Sequence, residues 1–205
     1  MRNIILLLFV AVLASCDKDD TAPVPPPPPP PISLLKDVVL QALPSPYYHF
    51  EYDQQKRYAQ VSHKSGLSLY EVTYENNLLK KMKNSSPGNK DLIEYDYDAD
   101  NRVTVIRIKR ENGTLYRRGF LTYDTHNRLQ ELEWEVALTG GAFAQEQTMT
   151  FTYDANSNLS ELRDHRHAID GIQPEAVYID TYEQYDRGVN VDDFSLLHLN
   201  DRHVV

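Results

Sequence analysis

Between Tyr48 and Tyr153 the apolar positions fall on alternate residues, in short runs that end at a tyrosine. Tyr48, Phe50 and Tyr52 form one run; Tyr70, Val72 and Tyr74 follow, then Ile93, Tyr95 and Tyr97, and later Met149, Phe151 and Tyr153. The residues between them, including Glu51, Glu71, Thr73, Glu94, Asp96, Thr150 and Thr152, are polar. A period of two predicts strands with one buried face and one wet face.

Each run leads into the same turn. Tyr97-Asp98-Ala99-Asp100-Asn101-Arg102-Val103 returns as Tyr123-Asp124-Thr125-His126-Asn127-Arg128-Leu129, as Tyr153-Asp154-Ala155-Asn156-Ser157-Asn158-Leu159 and as Tyr52-Asp53-Gln54-Gln55-Lys56-Arg57-Tyr58. Tyr74-Glu75-Asn76-Asn77-Leu78-Leu79 is a version one residue shorter. Lys56, Asn101, Asn127 and Ser157 stand where such a hairpin commonly needs positive φ, a conformation asparagine tolerates well. The aspartate beside each tyrosine is placed to accept hydrogen bonds from the turn amides, which predicts structural caps and not catalytic acids. Past each turn the apolar spacing becomes three, as in Tyr58 and Val61, Leu79 and Met82, Val103 and Ile106, Leu129 and Leu132, Leu159 and Leu162. A bulge early in each return strand would let both members of a pair face the core.

With Leu34 to Leu40 as a first strand and the segment from Ala176 as a last, the pattern predicts an all-β, antiparallel up-and-down meander of about twelve strands. Open sheets rarely pass about ten strands without curling, so a barrel or half-barrel is expected. Glu94, Asp96, Thr150 and Thr152 would make a poor lipid face, which makes the expected barrel water-soluble with its tyrosines inside.

The beginning of the chain reads differently. Residues 1–15 predict a lipoprotein signal peptide: a basic start at Arg2, then an apolar run from Ile4 to Ala14 too short to remain as a membrane helix. Leu13-Ala14-Ser15-Cys16 resembles the lipobox of bacterial lipoproteins, and Cys16 is the single cysteine of the chain. Lipidation at Cys16 explains that solitary thiol, and several acyl chains would hold the protein on a membrane permanently. Lys18, Asp19 and Asp20 look like the export signal that sends certain Gram-negative lipoproteins to the cell exterior. Within residues 16–32, seven consecutive prolines from Pro25 to Pro31 predict a polyproline spacer about 20 Å long. Residues 33–205 are left for the β domain.

Composition and charge narrow the partners. Fourteen tyrosines against six phenylalanines and one tryptophan suit half-buried pleated surfaces. Without Arg2 of the leader, 20 basic residues face 30 acidic ones, a surface that repels nucleic acid. No cofactor motif occurs, and no G-x-S-x-G, H-E-x-x-H or glycine-rich phosphate loop. His165 and His167 share one strand face but lack a third ligand, and Asp180, Asp186, Asp192 and Asp193 lack calcium-loop spacing, so no metal site is expected.

The Tyr-Asp turns with Arg57, Arg102 and Arg128 resemble the YD repeats of the RHS family over residues 47 to 186. The family has Gly where this chain has Lys56, Asn101, Asn127 and Ser157. The closer resemblance is to small surface lipoproteins of unknown function built from the same repeat, with a porin-like antiparallel β-fold. That resemblance implies a fold and no activity. A non-catalytic surface module is therefore expected, one that captures a glycan or a protein, with Tyr47, Tyr116 and Tyr182 as wet-face aromatics for sugar stacking. The alternative is a structural component of the cell envelope, with a glycan-active enzyme behind both.

Overall fold

A computed structural model describes residues 34–88, 90–183 and 185. Its strands are β1 (Asp37–Val38), β2 (Tyr48–Tyr52), β3 (Tyr58–His63), β4 (Ser68–Glu75), β5 (Leu78–Asn84), β6 (Leu92–Tyr97), β7 (Val103–Lys109), β8 (Leu115–Tyr123), β9 (Leu129–Ala137), β10 (Phe143–Tyr153), β11 (Leu159–Arg166) and β12 (Ala176–Thr181). They pair in chain order as one twelve-stranded sheet, every neighbour antiparallel.

Closure into a barrel does not occur. β1 and β12 are the two ends of the sheet, and among the described residues no pairing joins them. β1 is also shorter than the Leu34–Leu40 strand expected from sequence: only Asp37 and Val38 pair with β2, because Leu34 and Val39 stay exposed and add little buried surface to hold a longer strand. At the other end Val177, Tyr178 and Ile179 of β12 are 44%, 40% and 51% exposed.

One face of the sheet carries the core. Tyr70, Met82, Ile93, Tyr95, Val103, Ile106, Leu121, Leu132, Trp134, Met149, Phe151 and Leu162 pack into one cluster running from β4 to β11. Tyr48, Phe50 and Val61 form a second, smaller cluster. His63 sits between the two, stacked 6.1 Å from Tyr48 and 5.6 Å from Tyr70, and burial with the nearby Lys64 lowers its pKa to about 4. The other face is polar. There Glu94 pairs with Lys109 and Lys81, Asp96 with Arg107 and Lys80, and Glu135 with Arg118.

The spacing of three past each repeated turn is a bulge in each of those hairpins. Asp96 faces Val105 while Tyr97 faces Val103, which leaves Thr104 as the extra residue. The same shift isolates Ala59, Lys80, Gln130 and Ser160 in the β2–β3, β4–β5, β8–β9 and β10–β11 pairs. Positive φ falls on Lys56, Asn77, Asn101, Asn127 and Ser157, the residues that close these turns.

Candidate functional site

The rim that carries the Tyr-Asp turns is built from one repeated set of bonds. Asp98 Oδ1 accepts the amides of Asp100 and Arg102, both at 2.9 Å, while Oδ2 accepts Arg102 Nε at 2.8 Å and Nη2 at 2.7 Å. Asp53 and Asp124 repeat this with Arg57 and Arg128, and Asp154 does so with Asn158. Each aspartate is thus consumed by its own turn. The amide hydrogen bonds, then the paired side chain, hold all four carboxyls below their ordinary range, Asp124 at about 2.

The arginines tie one turn to the next. Arg57 lies 4.1 Å over Tyr74 and donates to Asn77, Arg102 lies 4.9 Å over Tyr123 and donates to Asn127, and Arg128 lies 4.4 Å over Tyr153 and donates to Ser157. The tyrosine hydroxyls run the opposite way along the rim. Tyr97 donates to the Leu79 carbonyl at 2.6 Å, Tyr123 to Val103 at 2.7 Å, Tyr153 to Leu129 at 2.8 Å, and Tyr52 to Leu35 at 2.6 Å. Tyr185, past β12, donates to Leu159 in the same way. These carbonyls lie just beyond the last ladder pair with the next strand, so the phenol supplies the donor that the ladder no longer provides.

Acid should loosen this rim. A carboxylate with a depressed folded-state pKa contributes stability that is present above its unfolded value near 4 and is lost as pH falls towards the folded value near 2. Asp124→Asn should therefore unfold at lower denaturant than the wild type at pH 7, and the two midpoints should converge by pH 2. A gap that stays constant over that range would show that ionised Asp124 does not hold the turn.

The opposite rim carries a polar group on the core face. Arg117 is stacked 4.1 Å from the Trp134 ring and donates to Glu146 at 2.6 Å and to the buried Gln147 at 3.3 Å. Gln147 in turn donates to the buried Asp164 at 2.8 Å, which Arg166 meets at 3.3 Å. Glu146 is the extra residue of a bulge between β9 and β10. Nothing in the spacing of Gln145-Glu146-Gln147 signals that bulge, and sequence reasoning missed the group.

On the same rim lies a cleft between the β5–β6 loop and the β7–β8 turn. Gly88, Lys90, Asp91, Arg110, Glu111 and Tyr116 line it, with a volume near 570 Å³. Tyr116, expected on the wet face, is the extra residue of a bulge that turns it onto the core face, where it packs against the main cluster. Its hydroxyl donates to Asp91 at 2.7 Å, Arg110 lies 4.8 Å over its ring, and burial with that bond raises its pKa. Beneath Asp91, whose carbonyl accepts the backbone amide of the fully buried Asn84 at 2.8 Å, the Asn84 side chain meets the Tyr70 hydroxyl and accepts the Ser86 amide at 2.9 Å. Tyr47 and Tyr182, also expected to be wet, are half-buried against the two core clusters.

No family model matches the chain, and no curated protein sequence does. Among solved structures, TcdB2-TccC3-Cdc42 is similar at 18% identity over 63% of this chain, with a TM-score of 0.38. This chain spans 7% of that one. TcdB2-TccC3-TEV gives the same figures. A porin-like protein from Bacteroides uniformis is similar at 13% identity over 64% of this chain and 73% of its own, with a TM-score of 0.36. Likeness at this level does not bear on what the chain binds.

The remaining candidates are placed as follows. His165 and His167 stand 4.2 Å apart, with Glu175 3.0 Å from His165 and Thr148 2.8 Å from His167; among the described residues no group of three or more ligand side chains gathers. Asp180 is exposed on β12. Cys16, Lys18, Asp19, Asp20, Asp186, Asp192 and Asp193 lie outside the described residues.

Proposed function

We propose that this protein is a lipid-anchored, non-catalytic binding module displayed on the outer membrane of a Gram-negative bacterium. The observation that carries the reading is Cys16, the only thiol in the chain, set at the end of an apolar leader and followed by Lys18, Asp19, Asp20 and seven prolines. The repeat domain suits such a role as a water-soluble half-barrel of YD-repeat type, with its polar, ion-paired face towards solvent. Its core face is filled by its own tyrosines, Met82, Met149 and Trp134, so a ligand is met at the rim. The four Tyr-Asp turns are committed to their own amides and cations, which leaves the opposite rim, with its mixed-charge cleft, as the binding surface.

Anchoring is tested by Cys16→Ala, which should move the protein from the membrane fraction to the soluble fraction. Retention on membranes through a carbonate wash would refute the lipid anchor. Protease added to intact cells should digest the wild type, and replacing Lys18, Asp19 and Asp20 together by alanine should protect it. Equal digestion of both would remove the export signal from the account.

A further inference from the structure

We propose that the cleft between the β5–β6 loop and the β7–β8 turn binds a short stretch of a neutral polysaccharide. The inference rests on the surface-module reading and names its ligand class. Four charged side chains line the recess, and they balance: Lys90 and Arg110 against Asp91 and Glu111. An anionic ligand would meet two carboxylates at close range, and a cationic one would meet an ammonium and a guanidinium. A neutral polyol meets neither penalty. Its hydroxyls donate to Asp91 and Glu111 and accept from Lys90 and Arg110, so one ring can use both signs at once.

The polar groups are held in position from below. Tyr116 fixes Asp91 by its 2.7 Å hydrogen bond, and Arg110 is laid over the Tyr116 ring at 4.8 Å. Lys90 is tethered to the Ser85 carbonyl at 3.2 Å. Because Arg110 covers one face of the Tyr116 ring while the core holds its body, recognition is by hydrogen bonds to hydroxyls and not by stacking. A volume near 570 Å³ lies within the range of small-molecule sites, from about 300 to 1,000 Å³.

Affinity electrophoresis of the detergent-solubilised full chain tests this, in gels containing a neutral glucan, mannan, galactan or xylan, or else polygalacturonate or chitosan. At least one neutral polymer should retard the wild type and polygalacturonate should leave it unretarded, while chitosan, which the chain's excess of acidic residues attracts without a site, should retard wild type and variants equally. Arg110→Gln with Glu111→Gln keeps the cleft's net charge while removing its ion-specific geometry, and should weaken retardation by the neutral polymer at least tenfold with the thermal midpoint unchanged. If the double variant loses its fold, Glu111→Gln alone serves, with the same sign. Undiminished retardation of the variants by the neutral polymer would overturn the site while leaving the module reading intact. Retardation only by a charged polymer would overturn the ligand class. Failure of every neutral polymer to retard the wild type would overturn the proposal whether or not Cys16→Ala and intact-cell proteolysis support surface display.

Discussion

Tyr95→Ala should lower the unfolding free energy by about 3–5 kcal/mol, the range for removing a large ring from a core. Tyr95 is fully buried at the centre of the main cluster, where its hydroxyl meets Met82 Sδ at 3.2 Å. A domain of this size has about 5–15 kcal/mol in all, so the variant should be close to unfolding at 37 °C. Asp96→Ala, the next residue along β6, is the control. Its carboxylate lies on the polar face, 39% exposed, and pairs with Arg107 and Lys80. Exposed pairs of this kind contribute about 0–1 kcal/mol. Urea denaturation of both variants reads the contrast, and equal losses would reverse the assignment of the two faces.

Gly119→Ala should destabilise the protein by about 1–3 kcal/mol, against the usual direction for a glycine inside a strand. A Cβ at 119 would lie 2.9 Å from Trp134 Cζ3, 3.0 Å from Cε3 and 3.1 Å from Cη2. Trp134 cannot retreat, because its ring is buried with Arg117 stacked on its face. Denaturation alone does not separate a steric cost from an intrinsic one, so Gly119→Ala should be repeated in a Trp134→Leu background. There the alanine should be neutral or stabilising, and a cost that persists would remove the tryptophan from the explanation.

The hairpins were legible because each repeats a local code. Period two placed Tyr95 and Met149 inside, the spacing of three located bulges at Thr104 and Gln130, and asparagine marked the positive-φ positions 101 and 127. These signals act within a few residues, and a single sequence carries them. The links between hairpins were not legible in the same way. That Tyr123 donates to Val103, or that Arg128 stacks on Tyr153, depends on which turn lies beside which, and that is fixed only once the meander has formed. The rim group around Gln147 and the placing of Tyr116 were hidden for another reason. Each depends on a bulge: the one at Glu146 has no turn beside it, and Tyr116 follows Gly113 by the same three residues that separate Thr104 from Asn101, but its turn lacks the Tyr-Asp pair that marks the others. Strand count argues for curling but leaves a barrel and a half-barrel both open; joining the ends needs two long edges, and β1 pairs through only Asp37 and Val38.

The tyrosine in the repeat now has a specific task, and phenylalanine would not perform it. The carbonyls of Leu79, Val103 and Leu129 sit where the ladder ends, and the next tyrosine hydroxyl caps each one. Burial raises the Tyr97 pKa to about 12, so the phenol keeps its proton and remains a donor throughout the physiological range.

The central claim is that one Tyr-Asp unit, bulged after its turn, builds the whole open meander, and cross-strand proton contacts by NMR test it most directly. Contacts should link Tyr97 with Val103 and Asp96 with Val105, passing over Thr104, and should recur as Tyr123 with Leu129 and Thr122 with Glu131. None should link Asp37 or Val38 to β12. Contacts that put Asp96 opposite Thr104 in an unbroken register, or that join the first strand to the last, would contradict the account.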